Sequence, residues 1–169
     1  MSDTRPRYAA YGSNLHPVRL SARLPTAELL GHAFVPGLSL RFDKRSRDGS
    51  AKTGIDSGSE GVYMAVFEVS ESERTDLDAI EGVGHGYEPL DIDVPGFGRC
   101  FTYEATPSHV QPGLPAYDWY REYVLLGCLL HGFPEDYTAT VASKTVTHDP
   151  DAARRRQNWD VIARIHNGA

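Results

Sequence analysis

The segments up to about residue 105 read mostly as strands and those from residue 117 on as helices, and this change of period limits the fold more than any single motif does. Leu90-Asp91-Ile92-Asp93-Val94 alternates strictly, Pro95-Gly96-Phe97-Gly98 turns, and Arg99 to Ala105 returns, which is a hairpin. Arg7 to Tyr11 reads as a strand closed by a turn at Gly12-Ser13-Asn14, and a polar loop or short helix runs on to Arg23. Leu38 to Phe42 is a half-buried strand and Val62 to Val69 a central one. Between them, Asp43 to Glu60 is rich in glycine, serine and charge without periodicity, and reads as a long functional loop.

One helix interrupts the strands. Ser70-Glu71-Ser72-Glu73 has the capping-box pattern, so a helix starts there, points Leu77 and Ile80 inward and stops at Gly82. Tyr117 to Leu130 is apolar at helical spacing and closed by Gly132, with Pro134 in the first turn of the next helix. Asp149-Pro150 opens a last helix that carries Trp159, Ile162 and Ile165 on one face and ends at Gly168. Strands first and helices last imply an α+β fold, a small mixed, largely antiparallel barrel flanked by helices. A length of 169 residues suits a single domain, residues 1–169, with a core of about 8–137 and a helical extension over 138–169.

Charge narrows the partners. The chain has 17 Lys and Arg against 23 Asp and Glu, a net of −6, which argues against nucleic acid because phosphate binding needs a concentrated cationic face. Arg41, Lys44, Arg45 and Arg47 form one basic cluster; Arg154, Arg155 and Arg156 form another, read as a solvated helix face. The N-terminal stretch has no apolar leader core and Tyr123 to Leu130 is too short to span a bilayer, so the expectation is a cytoplasmic protein without a membrane partner. Cys100 and Cys128 read as free thiols, and no Cys/His spacing suggests a metal.

No nucleophile elbow, zinc-protease motif or phosphate-binding loop occurs, and Gly82-Val83-Gly84-His85-Gly86-Tyr87 fails as a dinucleotide fingerprint because tyrosine takes the third glycine's place. Two weaker features remain. Tyr11-Gly12-Ser13-Asn14-Leu15 follows a strand with small residues whose backbone N–H groups can converge on an anion, with Gly12 suited to unusual φ values and close backbone approach; an ordinary turn explains the same residues. Glu81 closes a helix beside Ile80 and Val83, where desolvation and the helix C-terminus would raise its pKa toward that of a general base. A solvated helix-end glutamate is the alternative. His85 reads as a loop histidine, and Tyr87, Tyr103, Tyr117 and Tyr120 are either pocket-liners or core.

In combination these features resemble the gamma-glutamylcyclotransferase family, from about Tyr8 to Tyr137. The likeness rests on Tyr11-Gly12-Ser13-Asn14-Leu15 after a short strand, on Leu77-Asp78-x-x-Glu81-Gly82 after another, and on Tyr120 seven residues before Gly127 with Gly132-x-Pro134 beyond. It implies release of 5-oxoproline from a small γ-glutamyl substrate without cofactor or metal. Glu81 would be the acid/base, the loop from Tyr11 to Leu15 would hold the glutamyl group, and Tyr87 and Tyr120 would complete the site in a monomer or homodimer. The segment from Asp43 to Glu60 and the helix after Asp149 depart from the family pattern, which leaves the leaving group open: an amino acid, an amine or an acylated biosynthetic intermediate. A non-catalytic binding module of the same fold, or an interaction protein built on the arginine-rich helix, are the readings of other classes.

Overall fold

The computed structural model describes residues 4–168; the first three residues of the stretch read for a leader lie outside the described residues. The fold is α+β with a largely antiparallel sheet flanked by helices. Its five-stranded sheet has the order β2 (Glu28–Val35), β5 (Val62–Glu68), β1 (Arg7–Ala10), β7 (Gly98–Ala105), β6 (Tyr87–Val94). Every pairing is antiparallel except β1 with β7, which meet at Tyr8 and Phe101. The central β1 therefore ends beside the end of β7 and the start of β6.

Alternate residues divide the interior in two. Tyr8, Ala10, Ala65, Phe67 and Phe101 face a core shared with the helices, whereas Ala9, Val62, Met64, Val66 and Cys100 face one enclosed by the sheet's own curl. The barrel inferred from the sequence does not close among the described residues. The edges β2 and β6 approach each other, but the Phe97 ring lies against Gly31 and a side-chain contact replaces the ladder.

The segment from Asp43 to Glu60 is not a loop. It forms most of a hairpin of β3 (Leu38–Arg45) and β4 (Ala51–Ser57), whose register slips between Arg41 and Lys44, so that Phe42 and Asp43 bulge opposite Thr53. Polar residues conceal this strand: Asp43, Lys44, Ser50 and Thr53 are all buried. Strand β2 likewise carries exposed Leu29, Leu30 and Phe34 on an edge, a pattern that lacks the alternation of a half-buried strand.

The capping box forms as read, at 3.1 Å in both directions, and starts α2 (Glu71–Glu81). Its second carboxylate oxygen also takes the Thr26 N–H at 2.7 Å. Ile80 is exposed, contrary to expectation, because the buried stripe of α2 runs through Glu73 and Leu77 at a spacing of four. Glu81 continues that stripe, and Gly82 ends the helix in the left-handed region at φ 72°. Pro134 stands at the N-cap, one residue before α4 (Glu135–Ala142).

Two short strands, β8 (Ala116–Tyr117) and β9 (Val146–Thr147), run parallel beside α3 (Asp118–Leu130). The last helix, α5 (Ala152–His166), buries Ile162 and packs Trp159 and Ile165 on the core. Its arginines are not simply a solvated face. Arg154 grips buried Asp149 at 2.7 and 2.6 Å and Arg155 reaches Asp118 at 2.8 Å, because the turn into α5 must be tied back to α3. Asp149 also accepts the Trp119 indole N–H at 2.9 Å. No helix among the described residues is long and apolar enough to cross a membrane.

The Arg154 bonds hold the Asp149 carboxyl well below the usual carboxylate range. A group with a depressed native pKa adds stability above its unfolded pKa and loses that stability as pH falls. Asp149→Asn is thus expected to cost on the order of 3 kcal/mol at neutral pH, because it leaves Arg154 without its partner. Urea titrations of both proteins at pH 7 and pH 3 check this: the gap narrows at the lower pH, and an equal gap at both would refute the linkage.

Candidate active site

Three connections meet at the end of the sheet where β1 stops. They are the loop from Tyr11 to Leu15, the turn from α2 into β6, and the bulged middle of the β3–β4 hairpin. A narrow cleft between them is lined by Tyr8, Tyr11, Gly12, Ser13, Asn14, Thr53, Glu81, Tyr87, Tyr103 and Tyr120.

Glu81 points into this cleft with 18% of its side chain exposed. Its Oε1 accepts from Asn14 Nδ2 at 3.2 Å and lies 3.9 Å from the Arg23 guanidinium. Arg23 also donates to Asn14 Oδ1 at 3.4 Å, which fixes the amide between the two charges. Burial pushes the Glu81 carboxyl above its ordinary pKa; the charges of Arg23 and Lys44 and the Asn14 hydrogen bond oppose this, and burial prevails.

The loop from Tyr11 to Leu15 divides by direction. Ser13 and Asn14 line the cleft, and their backbone N–H groups have no hydrogen-bond partner among the described residues. Leu15 does not line it: its N–H closes the turn on Gly12 O at 3.2 Å, its carbonyl is bound by His131 Nε2 at 2.7 Å, and its side chain is fully buried. Gly12 is required for space and not for φ. A Cβ there would stand 2.2 Å from Thr53 Oγ1 and 3.2 Å from the Tyr120 hydroxyl.

The spacing of Tyr120 and Gly127 has a related cause. Seven residues are nearly two helical turns, so both lie on the α3 face turned toward the loop. Tyr120 sends its hydroxyl to Thr53, and Gly127 leaves room for Leu15, whose Cβ would be 2.3 Å from a Cβ at Gly127.

Thr53, which the sequence reading missed, organises the tyrosines. Its N–H donates to the Tyr120 hydroxyl at 3.0 Å, its Oγ1 lies 2.7 Å from that hydroxyl, and its carbonyl accepts from Tyr87. Tyr11 donates to Tyr103 O and Tyr103 to Asp78 Oδ1, both at 2.5 Å, while Tyr8 accepts from Asn14 at 3.2 Å. Burial pushes the hydroxyls of Tyr8, Tyr11, Tyr87, Tyr103 and Tyr120 upward, so all five remain neutral donors. Tyr117 lies elsewhere, bonded to Asp48 O at 2.5 Å, and His85 is exposed. Arg23 and Tyr8 also escaped the sequence reading, and Lys44 entered it only as one of a basic cluster. No group of three or more His, Cys, Asp or Glu side chains able to hold a metal occurs among the described residues.

With this geometry in place, the relatives can be set beside it. No family model matches the chain. A gamma-glutamylcyclotransferase from Bos taurus is 28% identical over 141 residues, covering 77% of this chain and 73% of the bovine one. A solved structure named gamma-glutamyl cyclotransferase superposes with a TM-score of 0.81 at 23% identity, covering 94% of this chain and 98% of that one. The crystal structure of an uncharacterized protein from Homo sapiens superposes with a TM-score of 0.75 at 24% identity, covering 86% and 90%. The resemblance read from the motifs therefore stands: the chain is similar to gamma-glutamylcyclotransferase over most of its length and has that fold.

Gly12→Ala is expected to displace Thr53 and with it Tyr120; if the cleft takes the cyclic product of the family it resembles, 5-oxoproline binding should weaken tenfold or more, whereas Ser13→Ala, which keeps its backbone N–H, should do much less. Calorimetry with circular dichroism as a folding control checks this. Tight binding by a well-folded Gly12→Ala protein would remove the loop from the site.

Proposed function

We propose that this chain is a cofactor-free γ-glutamyl cyclotransferase in which Glu81 is the general acid/base. The reading is carried by one observation: a half-buried carboxylate of raised pKa shares a narrow cleft with Ser13 and Asn14, whose backbone N–H groups have no partner among the described residues.

The substrate's α-carboxylate sits against the N–H groups of Ser13 and Asn14, with the dipoles of successive amides as its counter-charge. This brings the α-ammonium toward Glu81, which takes a proton from it. The freed amine closes on the γ-carbonyl carbon of the same molecule, a five-membered ring closure that gains the entropic advantage of an intramolecular attack. The developing oxyanion accepts a hydrogen bond from the tyrosine wall without taking its proton; Tyr8 is best placed, since its oxygen accepts from Asn14 and its own O–H remains available to donate. The C–N bond to the leaving group then breaks. Two protons leave the attacking nitrogen and two reach the departing one, so a single carboxylate that carries protons between them completes the cycle. The products are 5-oxoproline and a free amine or amino acid.

A binding module that keeps the cleft without turnover is the competing reading, and a 5-oxoproline assay separates the two. Glu81→Gln preserves shape and removes the proton carrier, so kcat should fall about a hundredfold to ten-thousandfold with the fold intact. Unchanged turnover in that variant would end the assignment.

The acid limb of kcat/KM should lie above the range of an ordinary glutamate, because the active form is the carboxylate and burial raises its pKa. The Arg23 charge acts in the opposite direction, so Arg23→Met should move the limb to still higher pH. A limb that stays in place, or moves down, would show that another group is titrating.

A further inference from the structure

The bulge in β3 turns two consecutive residues, Asp43 and Lys44, inward. Lys44 is 5% exposed, and its ammonium lies 4.3 Å from the centre of the Tyr87 ring, a wall of the cleft. A Cβ on Gly86 would come within 3.0 Å of the same Nζ, so the chain approaches it closely on that side as well. Its positive charge acts on Glu81. Yet Lys44 forms no ion pair and no side-chain hydrogen bond with any described residue: Glu81 and Asp48 attract it only through space, and its described short-range partner is the Tyr87 ring. The other inward cation of this hairpin is arranged differently: Lys52 is held by Asp48 at 2.8 Å and ringed by Trp119 and Tyr120. A buried ammonium without an anion is costly, and a ring face compensates only part of the lost hydration. The cost is recovered when a ligand supplies the anion.

We infer that Lys44 is a specificity-determining residue that receives a carboxylate on the leaving-group side of the substrate. This rests on the cyclotransferase reading, in which Ser13 and Asn14 hold the glutamyl end and the leaving group extends past Glu81 toward Tyr87. A leaving amine without a carboxylate leaves Lys44 unpaired, while one with it completes a charge-assisted pair in a partly dry site.

The test uses γ-glutamyl-alanine and γ-glutamyl-ethylamine, which differ only by that carboxylate. Wild type should favour the alanine compound in kcat/KM by about tenfold or more. Lys44→Met should bring the ratio close to one, chiefly by raising KM for γ-glutamyl-alanine, and Lys44→Arg should largely restore the preference. A preference that survives in Lys44→Met overturns the assignment. So does an equal loss on both substrates, which would mean that Lys44 holds the α-carboxylate, tunes Glu81 or merely supports the fold. If neither compound yields 5-oxoproline, the cyclotransferase reading falls, and calorimetry with the same pair still decides Lys44: tighter binding of γ-glutamyl-alanine that Lys44→Met abolishes supports it, while equal binding, or none, overturns it.

Discussion

The site depends on how Thr53 is held. Strand β4 pairs with β3 along one edge only, and an unpaired edge exposes backbone groups that must find partners. At Thr53 those partners are two tyrosine hydroxyls, Tyr120 from α3 and Tyr87 from the start of β6. Elements far apart in the chain are thereby joined through one residue, and Gly12 can pass beneath it because it carries no Cβ. The hairpin, the helix and the first loop are consequently adjusted to one another; a side chain added at Gly12 or Gly127 would disturb all three.

On this frame the electrostatics of Glu81 become a contest with a definite outcome. Burial alone would drive the carboxyl far up, and full pairing with Arg23 would drive it down. At 3.9 Å the guanidinium is at the edge of ion-pair range, with the Asn14 amide placed between the two, so burial dominates without being unopposed. That balance suits the role proposed for Glu81, which calls for a group that both accepts and returns a proton. The tyrosines are pushed the other way in function: kept neutral by burial, they offer protons for hydrogen bonds and do not compete as bases.

The sequence made these features legible unevenly, for physical reasons. The capping box, Gly82 and the β6–β7 hairpin rest on local chemistry, in which a cap, a left-handed turn and a period of two are visible in a few residues. Glu81 was found by its neighbours, although the cause of its inward aim is the four-residue stripe from Glu73 through Leu77 and not the apolar Ile80 beside it. The β3–β4 hairpin stayed hidden because its buried positions are filled by Asp43, Lys44, Ser50 and Thr53, which propensity assigns to loops. Asp43 and Ser50 are met locally by Arg41 and Asp48, but Thr53's partners, Tyr87 and Tyr120, lie 34 and 67 residues away, beyond the reach of any local pattern.

The polar interior that defeated the sequence reading is also what would let the fold vary its specificity. The end of the cleft proposed to hold the glutamyl group is bounded by backbone from the first loop, which is fixed by close packing at Gly12 and Gly127. The opposite wall is built from a bulged hairpin, and a bulge can re-aim side chains without moving the strands that flank it. In the proposed reading, chemistry and selection fall to different parts of the chain. A substitution at Lys44 would, on that reading, alter which amine departs without touching Thr53 or the first loop, whereas one at Thr53, Gly12 or Gly127 would disturb the whole site.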